Sequence, residues 1–289
     1  MTESSKDVVS ATKRYVCDSR HRLRLFDAVG QEVREVVIRL RHEQLSVTAR
    51  WSEDEFRRRV PAFEEIVADL CRVEALLVRW GGEREMDTLT LPIRHALDCL
   101  DHGSGNTGWL ELQWYPILTL FYSAGVAAVS AGRYGALRAL MHLAARVSGR
   151  DQLFVTAIAQ GINDRTGAFR LLPELDRHKT PCSDRLFAVL QPLLDEVLFL
   201  GSDFQRAFDR FEMLYAIECA YQTNRGWGPL GQFVWKGGTD GPLSCLIKEL
   251  QDADDSWPPV AAGLCGGSIE KMKSTTSVFA ENLARSSTW

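Results

Sequence analysis

The sequence predicts an all-α fold, an irregular multi-helix bundle with little or no sheet. Three observations lead there. Apolar residues recur at helical spacing in several long segments, most clearly from Asp203 to Asn224. Sustained alternation of apolar and polar residues, the mark of half-buried strands, is almost absent. The tract Leu112 to Gly132 (LQWYPILTLFYSAGVAAVSAG) carries no charged side chain, so something must cover it on every side.

Taken in order, Asp27 to His42 places Val29, Val33, Val36, Val37 and Leu40 on one stripe, with Arg34, Glu35, Arg39 and Arg41 around it, the pattern of a surface helix docked on a core. Ser52-Glu53-Asp54-Glu55 reads as a capping box, with the Ser52 hydroxyl accepting from the Glu55 N–H and the Glu55 carboxylate reaching back. The stripe that follows, Phe56, Val60, Phe63, Val67, Leu70 and Leu77, ends at Trp80-Gly81-Gly82, where a Gly is expected to supply a left-handed closing residue. Pro61 predicts a kink or a short break. Another helix is expected from about Thr90 to Asp101. The segment His102 to Gly108 (HGSGNTG) then reads as a linker. It divides the chain into an arginine-rich N-terminal helical subdomain, 1–105, and a C-terminal helical subdomain, 106–289.

The uncharged tract is long enough to cross a bilayer, which takes about 20 mostly apolar residues. Its second half, however, is built from Ser123, Ala124, Gly125, Ala127, Ala128, Ser130, Ala131 and Gly132, which bury little apolar area each. Lys and Arg are not concentrated on either flank. The expected solution is a helical hairpin closed at Gly132, with Arg133 to Ala145 as its second helix, and no membrane partner. Gly125, Ala127, Gly132, Tyr134 and Ala144 stand at the spacing of the small and aromatic positions of a tetratricopeptide unit. The hairpin therefore resembles one such repeat. Leu137 departs from that pattern, no Pro closes the unit, and no second copy follows at a fixed period.

Beyond it, Leu153 to Gln160, Ser183 to Leu200 (with a kink expected at Pro192) and Asp203 to Asn224 read as helices, the last carrying Phe204, Phe208, Phe211, Leu214 or Tyr215, and Cys219. Arg225 to Gly231 (RGWGPLG) is turn-rich, and Gln232-Phe233-Val234-Trp235 is a short strand or an aromatic plug. An acidic stretch, Asp252 to Asp255, precedes Trp257-Pro258-Pro259 and a terminal helix from about Ser268 to Arg285.

Composition sets the outer bounds. Lys and Arg number 34 against 38 Asp and Glu in 289 residues, a formal charge of -4, so no global charge drives the chain toward nucleic acid or anionic lipid. The first residues lack the apolar core and cleavage site of a secretory signal, which points to the cytosol. Seven scattered Cys with no C-x-x-C pair suggest neither a disulfide framework nor a zinc ribbon.

His95, Cys99 and His102, with Asp98 beside them, share a helix face at metal-ligand spacing, but no fourth ligand is positioned and a cation at a helix end is also favoured electrostatically; no metal is expected. Gly263 to Ser268 (GLCGGS) leads into a helix, a place where backbone N–H groups can hold phosphate. Lys271 is misplaced for a Walker loop, and a Gly turn with Ser268 as N-cap is the simpler reading. Glu212 and Glu218 lie on or beside an aromatic stripe, where a carboxyl can be tuned for proton transfer or simply paired with Arg210 or Arg225. No nucleophile elbow occurs, and neither catalysis nor a cofactor is expected.

Two binding surfaces are open. Trp109, Trp114, Tyr115, Arg133, Tyr134, Trp227, Phe233 and Trp235 are residue types that dominate interface hot spots, and core packing is the competing role, favoured for Trp114 and Tyr134. Between Lys13 and Arg59 there are 12 Lys or Arg against 8 Asp or Glu. Arg20, Arg22, Arg24, Arg57, Arg58 and Arg59 form the core of a phosphate-contacting alternative, although no aromatics are interleaved with them.

Three stretches, Phe208 to Leu214, Trp227 to Trp235 and Trp257 to Ser268, resemble the C-terminal helical regions of bacterial antiviral effector proteins, in which such a region follows an NAD-cleaving or other toxic domain. That resemblance covers roughly the second half and rests on aromatic and Gly landmarks. It implies a sensing or adaptor subunit in antiphage defence, acting through a protein partner such as a separate effector enzyme or a phage protein. Nucleic-acid binding through the N-terminal arginines is the alternative.

Overall fold

A computed structural model describes residues 5–162 and 167–286 of the chain. It is all-α, with one two-stranded hairpin among the described residues. The helices are α1 Ser5–Tyr15, α2 Arg22–Leu40, α3 Glu53–Trp80, α4 Met86–Leu97, α5 Thr107–Leu112, α6 Tyr115–Ser130 and α7 Tyr134–Met141. After strands β1 Ala144–Val147 and β2 Arg150–Leu153 come α8 Phe154–Gly161, α9 Pro181–Leu198, α10 Asp203–Thr223, α11 Pro242–Asp252, α12 Pro258–Ala261 and α13 Ile269–Ser286.

The uncharged tract is the axis of the fold. Every residue of α6 from Tyr115 to Val129 is buried. The expected partner, α7, covers only one end of it; α3 and α10 are the principal covers, with α4 and α9 completing the sheath. Small residues make these approaches possible. A Cβ on Gly125 would lie 2.0 Å from the Phe211 ring of α10, and the Ser123 hydroxyl donates to the Cys71 carbonyl of α3 at 2.7 Å. Between the small residues Phe121 inserts edge-on against Phe154, Phe211 and Tyr215, each ring centroid 5.1 Å away, an arrangement aromatic quadrupoles favour.

The hairpin closes as expected at Gly132, whose φ of +66° lets the Arg133 N–H reach the Ala128 carbonyl and the Gly132 N–H the Val129 carbonyl. This is a Schellman closure. Its second helix is shorter than expected. It stops at Met141, and Ala144, an assumed repeat position, is an exposed residue of β1 paired with Leu153. Ser148 and Gly149 at the β-turn both have positive φ, the twist that a two-residue hairpin connection requires.

Two other local expectations are corrected. Neither Gly81 (φ -73°, ψ 159°) nor Gly82 (φ -103°, ψ -167°) is left-handed; the Gly81 N–H bonds the Leu77 carbonyl, and a Cβ on Gly81 would lie 2.4 Å from that oxygen. Only half of the capping box forms. The Ser52 hydroxyl accepts from the Glu55 N–H at 3.2 Å, while the Glu55 carboxylate turns to Arg58 and Arg59. α3 runs through Pro61 without a break.

The linker at 102–108 does not separate two cores. Trp109, just beyond it, is buried, donates from its indole to the Ala49 carbonyl at 3.0 Å, and lies under the Arg59 guanidinium at 4.1 Å. Buried residues from both sides of 105/106 form one cluster. Glu64 of α3 adds a polar clasp, accepting from Tyr115 of α6 at 2.7 Å and from Arg185 of α9 at 2.8 and 2.7 Å.

The α6–α10 contact yields a paired test. Gly125→Ala should lower stability by about 1–3 kcal/mol through overpacking. Gly135→Ala, on an exposed helical site with nothing within 4 Å of the added Cβ, should raise it by roughly 0.5–1 kcal/mol. Chemical denaturation followed by circular dichroism measures both, and equal effects would contradict the close approach.

Candidate functional site

Behind α10 the chain turns back on itself. Asn224 and Gly226 take positive φ, and the segment to Gly231 lies flat on α10. A Cβ on Gly228 would sit 2.0 Å from the Ala216 carbonyl, and one on Gly231 would sit 2.0 Å from the Glu212 carboxylate. With the backbone pressed inward, Trp227 and Leu230 are left 38% and 41% exposed. The next turn, a 3₁₀ helix from Gln232 to Trp235, sends Phe233 into the core beside Phe279 of α13 and leaves Trp235 41% exposed.

This loop forms one wall of a cleft of about 1190 Å³. α6, α8, the segment leading into α9, α10, α11, α13 and Arg170 contribute the rest, and Tyr122, Tyr215 and Cys219 form its buried floor. Four basic residues line it, Arg170, Lys179, Arg225 and Lys236, and no carboxylate does among the described lining residues. The Lys179 ammonium stands 4.1 Å from the Trp235 ring centroid.

Two polar clasps fix the loop to α10. Lys236 donates to both oxygens of Asp209 at 2.6 and 2.9 Å. The Ser183 hydroxyl accepts from the Gln232 N–H at 3.0 Å and donates to Glu212 at 2.6 Å, and the Tyr122 hydroxyl donates to the same Glu212 oxygen at 3.0 Å. Burial pushes the Glu212 carboxyl up to about 8 against these two hydrogen bonds, so it is mostly neutral near pH 7. A neutral acid at the base of the loop acts as a hydrogen-bonding strut.

Glu218, six residues further along α10, has the opposite fate. Burial alone would raise its pKa, but hydrogen bonds from His142, Gln222 and the Cys265 N–H outweigh it and hold the carboxyl below the ordinary range. His142 Nε2 lies 2.8 Å away and the Cys265 N–H donates at 2.7 Å. The expected partners Arg210 and Arg225 are not used; Arg210 pairs with Glu249 and Tyr134. The Gly-rich loop Gly263 to Ser268 thus offers a backbone N–H to an anion, but the anion is the internal Glu218. The Ser268 hydroxyl caps α13 by accepting from the Lys271 N–H.

The structure sorts the remaining candidate residues. Trp109 and Phe233 are core residues, 1% exposed each, and Trp114 is buried against Gly161. Tyr115 is buried on Glu64, Tyr134 braces Arg210, and the Arg133 guanidinium donates to the Gly81 carbonyl. Only Trp227 and Trp235 remain exposed beside the cleft. Of the arginines, Arg59 is 2% exposed and unavailable to phosphate, since Glu55, the Ser46 carbonyl and Trp109 enclose it. Arg20 pairs with Asp18, Arg22 faces Asp87 at 4.0 Å, Arg57 pairs with Glu53 and Asp54, and Arg58 pairs with Glu55. Arg24 has no ion pair among the described residues. His95 faces Asp98 at 3.9 Å and the Cys99 thiol donates to the His95 carbonyl; no group of three potential metal ligands assembles among the described residues.

Lys179, Ser183 and Asp209 are the residues the sequence did not single out, because their partners lie 27 to 56 positions away. The available signal was the W-G-P-L-G spacing, which marks a backbone pressed against a neighbour. No family model matches the chain, and neither a curated protein nor a solved structure matches it.

The raised carboxyls give a pH dependence. Between the ordinary value of 4.5 and about 8 the folded chain retains a Glu212 proton that the unfolded chain has lost, so stability falls as pH rises through that window. Glu74, fully buried with neither oxygen hydrogen-bonded among the described residues, is pushed up by burial and adds to the same slope. Melting temperature should drop by several degrees from pH 5 to 8, and less in Glu212→Gln and Glu74→Gln. Identical slopes in all three proteins would refute the assignment.

Proposed function

We propose that this chain is a non-enzymatic recognition protein, an all-helical scaffold that holds an aromatic and basic cleft in fixed shape. One observation carries the reading. Trp227, Leu230 and Trp235 are kept partly in water by a loop clasped to α10 through Asp209, Glu212 and Ser183. Exposing large apolar groups on a clasped loop gains nothing for folding, and apolar and aromatic side chains lining a cleft are what binding sites are built from. Rigidity lowers the entropy cost of association.

The non-enzymatic part rests on the carboxyl groups. Glu212 and Glu218 direct their hydrogen bonds to internal donors. The resemblance to C-terminal regions of bacterial antiviral effector proteins gives the reading its biological setting, a sensor or adaptor subunit beside a separate effector enzyme or a phage protein. Two of the aromatic landmarks of that resemblance, Trp227 and Trp235, are exposed beside the cleft.

Affinity purification from the native cell tests the reading. A protein partner should remain bound at about 0.5 M NaCl, where phosphate-dominated contacts weaken steeply, and a Trp227→Ala, Trp235→Ala double variant of unchanged melting temperature should lose it. Elution of nucleic acid alone, released by that salt, would contradict it.

A further inference from the structure

The chemistry of the cleft is more specific than a general binding surface. The chain carries more acidic than basic residues, 38 against 34, yet the described cleft lining holds four cations and no carboxylate. Lys236 is neutralised by Asp209 at 2.6 Å. Arg170, Lys179 and Arg225 are in no ion pair among the described residues, so positive potential accumulates in a walled space, which concentrates anions. Two indoles stand beside these cations. Lys179 covers one face of the Trp235 ring at 4.1 Å, which holds its ammonium at the aromatic wall of the cleft, while no cation lies over the Trp227 ring among the described residues.

From this juxtaposition we infer that the cleft binds a mononucleotide, with the base stacked on Trp227 and the phosphates met by Lys179 and Arg225. Every nucleobase offers a π-face to an indole, whereas phosphate needs cations and no competing carboxylate. At about 1190 Å³ the cleft is somewhat larger than the roughly 300–1,000 Å³ of small-molecule sites, so a nucleotide fits with room to spare. The floor of Tyr122, Tyr215 and Cys219 is buried, 5%, 2% and 4% exposed. The assignment rests on the recognition reading above and names what the cleft recognises.

Tryptophan fluorescence titrations with ATP, GTP, CTP and UTP, alongside adenosine and inorganic tripolyphosphate, test it on the full chain. At least one nucleoside triphosphate should bind about ten-fold or more tightly than either adenosine or tripolyphosphate, because only the intact nucleotide uses both the stack and the cations. Trp227→Leu and Lys179→Met should each weaken that binding about ten-fold while the melting temperature stays within a degree or two of the parent.

The proposal is overturned by no response to any of the four nucleotides at about 1 mM. It is equally overturned if tripolyphosphate binds as tightly as the nucleotides, if both substitutions leave affinity unchanged, or if a single-stranded oligonucleotide binds where no mononucleotide does. Nucleotide failure with Trp-dependent partner capture intact would remove this assignment and leave the recognition reading standing. Nucleotide binding without any protein partner would leave this assignment standing and remove the protein-partner part of the reading above.

Discussion

The fold depends on one helix that water must not reach. α6 presents apolar or small side chains in every direction, so no single neighbour can cover it, and the chain answers with a sheath. α3 extends over 28 residues and α10 over 21, and both lie along α6. An apolar window of this length meets the composition of a membrane span, yet 94% of it is buried within the molecule. Because Ser123, Gly125, Ala127 and Ala128 are small, the sheath lies close enough for backbone and side-chain hydrogen bonds to reach across.

The same closeness explains the buried acids. Helices packed on all sides of α6 carry polar residues inward wherever their stripes are broader than their apolar faces. Each acid then finds a different solution. Glu64 is clasped by Arg185 and Tyr115, Glu218 is held ionised by His142 and a backbone N–H, Glu212 is held largely neutral, and Glu74 is enclosed with its oxygens unpaired among the described residues. An unpaired carboxylate in such a place costs several kcal/mol, so the neutral form is favoured. The clasp at Glu212 has a further consequence: it ties the loop that follows α10 to the core, and the shape of the cleft follows from that tie.

Helical spacing was enough to read α2, α3 and α10, because long amphipathic stripes survive any tertiary context. The end of α7 was not legible. Leu143, Ala144 and Ala145 continue the apolar pattern of α7, and only the Ser148-Gly149 turn, which pairs β1 with β2, decides that Ala144 is strand. The candidate site was half legible. Trp227 and Trp235 stand out as landmarks, but Trp109 and Phe233 look the same in sequence and are core, since burial depends on what arrives from elsewhere in the chain. Arg59 shows the same limit. It reads as one of three exposed arginines, and the packing of Trp109 makes it an internal pillar. Lys179 carries no local signal, and its position over Trp235 exists only once α9 is docked.

The most direct measurement of the central claim is amide hydrogen exchange of the full chain in detergent-free buffer. If α6 is the sheathed axis, amides of 117–130 exchange last, together with those of the facing segments of α3 and α10, and they do so only through global unfolding. Fast exchange across 117–130, or protection that develops only on adding detergent micelles, would contradict the account.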